Sequence, residues 1–491
     1  MKKKPSMDDI KKTMKKIKED LEQTYITYKY KTVPSLNKAK NASEDALKKG
    51  FETSKHVGEE INKKYVKKAG DYWEKLGPGL TTGAADDDPS GIATYSQTGT
   101  KYGFQLLWLA IFTFPFMSLV QEMCARIGLV TGKGLAANIR ENFPIQIIYL
   151  STFFLLVANV FNLGVDLGMM ARSTQLIFPQ IDFTVLLIMF TTVSLGFQVF
   201  TTYPQYAKYL KYLALILFSY VISVLVMKDL NWSQILSSAI TPAITFSKDQ
   251  IILICGILGT TISPYLFFWQ TSQEVEELHT EKGDYNVRAR QHGIQYEGLN
   301  SEIKKMRIDV WSGMFISNLV MFFIIVATAA TLFSNGITNI NTVQDAATAL
   351  RPIAGEQAYL LFTIGVVGAG LLAVPILAGS ASYALSESLK IKGGLNYKLK
   401  DAPLFYGIII ASMVIGFAIN FLGIDPINAL IYSAIINGLI SPLILFIIVK
   451  ISSDHHIMGN KVNHPLVTLL GWAITGLMTV VGIITVASFF L

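Results

Sequence analysis

Histidine is missing from every long apolar run of this chain, and cysteine occurs only twice in 491 residues. The six histidines are His56, His279, His292, His455, His456 and His464, all in stretches that read as tails or loops. No membrane span is therefore expected to offer an imidazole ligand. Cys124 and Cys255 fall in separate apolar runs and read as small buried apolar residues. They give no sign of a disulfide framework or a thiolate metal site. Charge is scarce too: 16% of residues are charged, against about 25% in a typical soluble chain. The apolar runs hold no nucleotide-binding loop, no zinc-binding helix pair and no Ser/His/Asp set, so no enzyme is expected. Lys2, Lys3 and Lys4 open the chain without an apolar core behind them, so no cleavable signal peptide is expected.

What the chain has instead is apolar length. Eleven runs are long enough to cross hydrocarbon as helix, at about 77–100, 104–125, 145–171, 182–202, 209–227, 250–272, 308–334, 356–386, 403–423, 426–449 and 465–490. The expected class is an all-α polytopic membrane protein. Residues 1–75 form a basic tail with twenty lysines, and 76–491 form the transmembrane domain. In the tail, Ile10, Met14, Ile17 and Leu21 recur at helical spacing, suggesting an amphipathic helix on an anionic leaflet or a solvated tail. Connections on one side carry Arg126, Lys133, Arg140, Lys304, Lys305, Arg307, Lys450 and Lys461 among others. The other side has only Lys101, Arg172, Lys228, Lys248 and Arg351. This bias places the N-terminus in the cytoplasm and, after eleven spans, the C-terminus outside. The expected setting is the lipid bilayer of a bacterial inner or plasma membrane, as a monomer. The net charge of +7 follows from this topology and calls for no nucleic acid.

Two runs are interrupted. The first contains Asp86, Asp87 and Asp88 followed by Pro89, with Gly83 and Gly91 on either side. Proline removes a backbone donor and glycine permits unwinding. Non-helical backbone and carboxylates at mid-depth must line a cavity in protein. The sixth, "IILICGILGTTISPYLFFWQTSQE", centres on Ser263-Pro264, with Gly256 and Gly259 just before. Runs one and six open two five-span halves, about 77–227 and 250–449, with an eleventh helix at 465–490. Interrupted helices at corresponding places of two repeats point to a midplane binding site. The first break offers Asp88 and open carbonyls near Ala85. The second offers the Ser263 hydroxyl, the Tyr265 phenol and carbonyls near Thr260. These all-oxygen donors suit a hard divalent cation such as Mg²⁺, Ca²⁺ or Mn²⁺. Small residues, Ser90, Gly91 and Ser263, would leave room for the waters that Mg²⁺ retains.

The segments "GPGLTTGAADDDPSG", "YGFQLLW" and "QEMCARIGLVTGKGLA" resemble the first two spans of the Nramp divalent-metal transporters, and "GTTISPYLFFWQ" resembles the family's sixth. The resemblance runs from Gly77 to the last span. It implies a LeuT-type fold, two inverted five-helix repeats with broken helices one and six, plus an eleventh helix. It also implies that Asp88 is a metal ligand, and that transported Mg²⁺ or Mn²⁺ is cargo rather than cofactor. Where the family has Asp-Pro-Gly-Asn, this chain has Asp88-Pro89-Ser90-Gly91, so the amide ligand has become Gly91. Where the family has Met-Pro-His, this chain has Ser263-Pro264-Tyr265. A span-ten glutamine falls on Ala434, with Asn437 or Tyr432 near enough to compensate. Without the thioether, the preference for softer metals over Mg²⁺ should be lost. The chain is most similar to the divergent Nramp-related magnesium transporters, which implies alternating-access transport of partly hydrated Mg²⁺, with Mn²⁺ second. Asp86 and Asp87 would attract the cation or hold it through water.

The family's third span carries an Asp and a Glu as a proton route. Here Asp166 aligns with the Asp and the Glu position falls on Met169, or on Asn162 in another register. Uncoupled transport is therefore expected. The alternatives are a carrier for an organic amine or amino acid on the same fold, and a proton-coupled Mn²⁺ transporter. Two further expectations concern charge. Glu122 and Arg126 should form a local i,i+4 pair. The acidic "QEVEELH", residues 273–279, should be a solvated helix face, the alternative being a helix end that draws cations towards the cytoplasmic mouth.

Overall fold

The computed structural model describes residues 12–16, 18–23, 77–201, 215, 218–227, 230–291, 298–340, 342–348 and 355–490. The chain divides into two units, Met1–Glu74 and Lys75–Leu491. In the first, residues 12–16 and 18–23 are helical, and Met14 and Leu21 are exposed. Ile10 and Ile17, the other members of the expected stripe, lie outside the described residues, as does most of the basic tail.

The described part of the second unit is helical. In order it contains α1 (Pro78–Asp86), α2 (Pro89–Tyr102), α3 (Trp108–Thr131), α4 (Leu135–Asn142), α5 (Ile145–Gln175) and α6 (Phe183–Phe200). These are followed by α7 (Phe218–Val226), α8 (Trp232–Ile240), α9 (Lys248–Thr261), α10 (Pro264–Gln291) and α11 (Leu299–Thr331). The last group is α12 (Val343–Thr348), α13 (Ala358–Ser388), α14 (Pro403–Ile419), α15 (Pro426–Ser452), α16 (His455–Met458) and α17 (Pro465–Ser488). Among the described residues, eight helical stretches are long and apolar enough to cross a membrane. Three expected spans fall outside that count for local reasons. The first is split into α1 and α2, much of 209–227 lies outside the described residues, and α14 is short at 17 residues.

Burial sorts centre from edge. The apolar stretch of Lys248–His279 is 89% buried, while those of Phe183–Phe200 and Pro465–Ser488 are 28% buried. The sixth span is thus the hub, and α6 and α17 present most of their surface outward. Several boundaries differ from expectation. Helix α10 runs to Gln291 and α11 begins at Leu299 rather than near 308, because good helix formers carry the ladder past the apolar stretch. His279 therefore sits on α10 rather than in a loop. His455 and His456 form the single turn α16, and the His464 imidazole accepts from the Leu466 amide at the start of α17. His56 and His292 lie outside the described residues.

Both interruptions are two residues long: Asp87–Asp88 between α1 and α2, and Ile262–Ser263 between α9 and α10. Pro89 and Pro264 do not sit in unwound backbone, as expected from sequence. Each is the first residue of the second half-helix, where a missing N–H costs nothing and φ is already suitable. Nor does Gly83 mark unwinding. It is helical, and its Cα lies so close to Gly313 of α11 that a Cβ would collide with that residue's backbone. Small residues at such crossings let membrane helices approach backbone to backbone. Gly83→Val is expected to destabilise the protein by about 3 kcal/mol or more, as overpacking against a rigid backbone does. Thermal unfolding in detergent checks this, with Gly407→Val, on an open surface, as the control.

Candidate metal centre

The site is assembled at the first break. Asp88 is the N-cap of α2, in extended conformation at φ −63°, ψ 171°. Its Oδ1 accepts from the Gly91 amide at 2.7 Å and from the Ser90 hydroxyl at 2.6 Å. Its Oδ2 turns the other way, accepting from Asn162 Nδ2 at 2.9 Å. The Tyr265 hydroxyl, from the first turn of α10, donates to the Ala85 carbonyl at 2.9 Å and lies 3.4 Å from Asp88 Oδ2. The Ala85 carbonyl is available because α1 stops at Asp86. Asp88, Ala85 and Tyr265 thus meet at one point, and the two broken spans touch there. Gly91 packs against the Thr260 hydroxyl, and a side chain on Gly91 would crowd that hydroxyl and the Asp86 carbonyl.

Other expected residues are placed differently. The Ser263 hydroxyl turns back along its own half-helix, donating toward the carbonyls of Gly259 and Thr260, both at 2.7 Å. The open carbonyl of Ile262 is taken by the Ser441 hydroxyl at 2.6 Å. Asn437 is buried with Oδ1 unpartnered, while Tyr432 is 49% exposed and turned away from the interior. Asp86 accepts from Ser317 of α11 at 2.9 Å through Oδ2, and its Oδ1 has no partner. Neither oxygen of Asp87 has a hydrogen-bond partner. All three aspartates are at most 1% exposed, and no lysine, arginine or histidine pairs with any of them among the described residues. Also among the described residues, no three His, Cys, Asp or Glu side chains converge as a metal cage. The donor set at Asp88 is one carboxylate with neutral oxygens.

Sequence reasoning passed over several participants. Asn162, weighed only as a register alternative, spans the gap: its amide donates to Asp88, and its Oδ1 accepts from Ser433 of α15 at 2.7 Å. One turn on, Asp166 is fully buried, and neither of its carboxylate oxygens has a hydrogen-bond partner. The signal available for Asn162 was its amide within an apolar span, one turn before an aspartate. Asp309 gave no such signal. It reaches from α11 to accept the amides of Gly77, Gly79 and Leu80 at 2.8, 2.7 and 3.1 Å. It thereby caps α1, whose own preceding residue, Gly77, has no side chain to do so.

One charge reading is corrected and another is extended. The stretch 273–279 is not a solvated face. Glu274 and Glu276 are each 5% exposed, and Glu276 accepts from the Tyr383 hydroxyl and from the Leu395 and Asn396 amides. Glu276 of α10 is covered by α13 and the loop after it. Glu122 forms the expected i,i+4 pair with Arg126 at 4.0 Å, but its shorter contacts are on another helix. It accepts from Arg307 Nε at 2.9 Å, Arg307 Nη2 at 2.8 Å and Trp311 Nε1 at 2.8 Å, joining α3 to α11.

A helical membrane protein whose first and sixth spans break opposite each other around a buried carboxylate is built as a secondary transporter of the LeuT type, with two inverted five-helix repeats and an eleventh helix. Within that class the chain belongs to the Nramp family, described as "Natural resistance-associated macrophage protein-like", which it matches over residues 79–488. It is 25% identical over 410 residues to the divalent metal cation transporter MntH of Klebsiella pneumoniae subsp. pneumoniae, covering 82% of this chain and 91% of that one. Its fold is similar to that of the Eremococcus coleocola manganese transporter, with a TM-score of 0.64 at 16% identity over 85% of this chain and 88% of that one. Mhp1, a nucleobase-cation-symport-1 family transporter, shares the fold at a TM-score of 0.52 and 15% identity, covering 84% of this chain and 90% of that one. The chain is an integral membrane transporter and not an enzyme.

Proposed function

We propose that this chain carries divalent metal cations across the membrane by alternating access, with Mg²⁺ as the preferred ion and Mn²⁺ as a second substrate. One observation carries the reading. Three consecutive buried carboxylates have no cationic side chain paired with them among the described residues, and several of their oxygens have no partner at all. Unpaired carboxylates at membrane depth are expensive, and a doubly charged cargo supplies the missing positive charge. The hydrogen-bond partners of Asp88 are oxygen and nitrogen groups with no sulfur and no imidazole, which favours hard ions. One carboxylate with a carbonyl and a phenol leaves most of the coordination shell to water, as Mg²⁺ prefers. Asp88, Ala85 and Tyr265 are the proposed contacts, with Gly91 and Thr260 leaving space. We assign Ser263 and Asn437 a place beside the ion rather than as direct contacts, and Asp86 and Asp87 the role of setting the potential.

Uptake of Mg²⁺, Mn²⁺ and Cd²⁺ into proteoliposomes tests the reading. The parent is expected to carry Mg²⁺ and Mn²⁺. Ser263→Met places a thioether at the second break and is expected to improve Cd²⁺ competition about tenfold, a difference of about 1.4 kcal/mol. Absence of Mg²⁺ flux in the parent would overturn the ion assignment.

Asp166 favours a second reading. Its partnerless carboxylate stands one turn from Asn162, which itself holds Asp88, so a proton acceptor is available beside the site and proton-coupled Mn²⁺ transport is the alternative. Uncoupled transport is the reading we prefer, because among the described residues no imidazole hydrogen-bonds to Asp88 or Asp166 to continue a relay. A pH dye inside the same vesicles separates the two: acidification that follows metal entry would establish coupling.

A further inference from the structure

We propose that this chain binds a phosphate-bearing anion in a basic cleft between the C-terminal end of α3, the N-terminal end of α11 and the turn that precedes α17. The cleft has a volume of about 420 Å³, and its polar lining is Arg126, Asn300, Lys304, Arg307, Asn460 and Lys461. Four of these side chains are cationic. Among the described residues, the one carboxylate paired with them is Glu122, which takes Arg307 and lies 4.0 Å from Arg126. Three positive charges are left over in a single concavity. Such a lining repels a divalent cation, so the cleft is not a mouth for the transported ion.

Basic residues are expected on this side of the protein in any case, but charges that merely reach toward headgroups point outward from exposed positions. Arg126 does not: it is 7% exposed. Its Nη2 donates to Asn463, and its Nε has no hydrogen-bond partner. Arg126 lines the cleft, and a largely buried guanidinium with an unsatisfied N–H is complementary to an anion with several acceptor oxygens. Lys304 and Asn460 are exposed at the rim, and Lys461 donates to Asn300 across the cleft. The volume lies within the range of about 300–1,000 Å³ that small-molecule sites occupy, enough for a phosphate and its substituent.

Two sources share this chemistry. Ile308 follows Arg307 and is 44% exposed, and Leu466, near Lys461, is 58% exposed. A lipid phosphate could seat its head in the cleft and lay acyl chains along these side chains. A soluble phosphate needs only the polar lining. In either case the ligand bridges α3, α11 and the turn at 459–462. Arg307 is two residues from Asp309, the residue that caps α1, so an occupied cleft steadies the helix that anchors the first half-helix. The proposal is independent of which ion is carried.

Thermal unfolding and binding titrations on the purified full chain in a neutral detergent, at constant ionic strength set with chloride, test this. The probes are inorganic phosphate, dihexanoyl phosphatidylglycerol and dihexanoylglycerol, the last lacking phosphate. The parent is expected to be stabilised by phosphatidylglycerol and not by dihexanoylglycerol. A parallel response to inorganic phosphate assigns the cleft to the phosphate group itself, and a response to phosphatidylglycerol alone assigns it to a lipid head. In either case, Lys304→Gln combined with Lys461→Gln is expected to weaken binding at least about tenfold, whereas Lys398→Gln with Lys400→Gln, on another exposed basic stretch, leaves it unchanged. Lys304→Glu alone, at an exposed position, gives a second reading should the double variant fold poorly. No response to either phosphate probe, or equal affinity in parent and both cleft variants, would overturn the proposal.

Discussion

Asp88→Asn is expected to cut Mg²⁺ and Mn²⁺ flux in proteoliposomes to less than about a tenth of the parent rate, a loss of at least about 1.4 kcal/mol, with thermal stability nearly unchanged. The choice of asparagine follows from the double duty of this side chain. Oδ1 caps α2 through the Gly91 amide and takes the Ser90 hydroxyl, while Oδ2 faces Asn162 and Tyr265. Asparagine caps a helix about as well as aspartate does, so the structural duty survives and the charge does not. Asp88→Ala loses both: it is expected to abolish flux and also to cost about 1 kcal/mol of stability through the lost cap. The pair separates ligand from scaffold. Normal flux in Asp88→Asn would show that the carboxylate is structural and that the site lies elsewhere.

A large loss of stability, comparable to that of Gly83→Val, is expected at a second residue outside the site. Asp309→Ala removes an acceptor shared by three amides, those of Gly77, Gly79 and Leu80. Asp309 itself is 3% exposed. Each buried donor left without a partner costs about 1–3 kcal/mol, so the variant is expected to lose about 3 kcal/mol or more. Asp309→Asn keeps one acceptor oxygen and should lose roughly half as much on the same scale. The capping carboxylate also sits at the positive end of the α1 dipole, which neutral replacements leave uncompensated. Thermal or denaturant unfolding in detergent reads this out. A change no larger than that of an exposed substitution such as Lys398→Ala, about 0.5 kcal/mol, would mean that α1 is held by packing alone.

Much of the site could be read in one dimension because it is built from local grammar. Asp88-Pro89 is a helix start, and Ser263-Pro264 is another. A carboxylate next to a helix start inside an apolar run is a conflict that only a cavity resolves. Tyr265 and Ala85 followed from adjacency to the two breaks. Asn162, Ser433 and Ser317 did not, since their importance depends on which face of a distant span meets Asp88 or Asp86. The acidic run 273–279 was misjudged for the same reason: its burial is imposed by the loop after α13, more than a hundred residues later. Glu122 found its principal partner, Arg307, on another helix rather than one turn along its own.

Pattern and chemistry along the chain were enough to establish a helical membrane protein and the positions of both breaks, and to propose an oxygen-only site centred on Asp88. Those properties depend on hydrophobic length, on proline and on side-chain type, each of which acts within a few residues. Packing alone decided that Gly83 serves a helix crossing, that Ser263 turns its hydroxyl inward to its own half-helix, and that Asp309 closes α1. Packing also enclosed four basic side chains around one cleft. The Gly83 crossing and the Asp309 cap bring together atoms more than two hundred residues apart, which no local preference encodes, whereas Ser263 makes a local bond to its own half-helix.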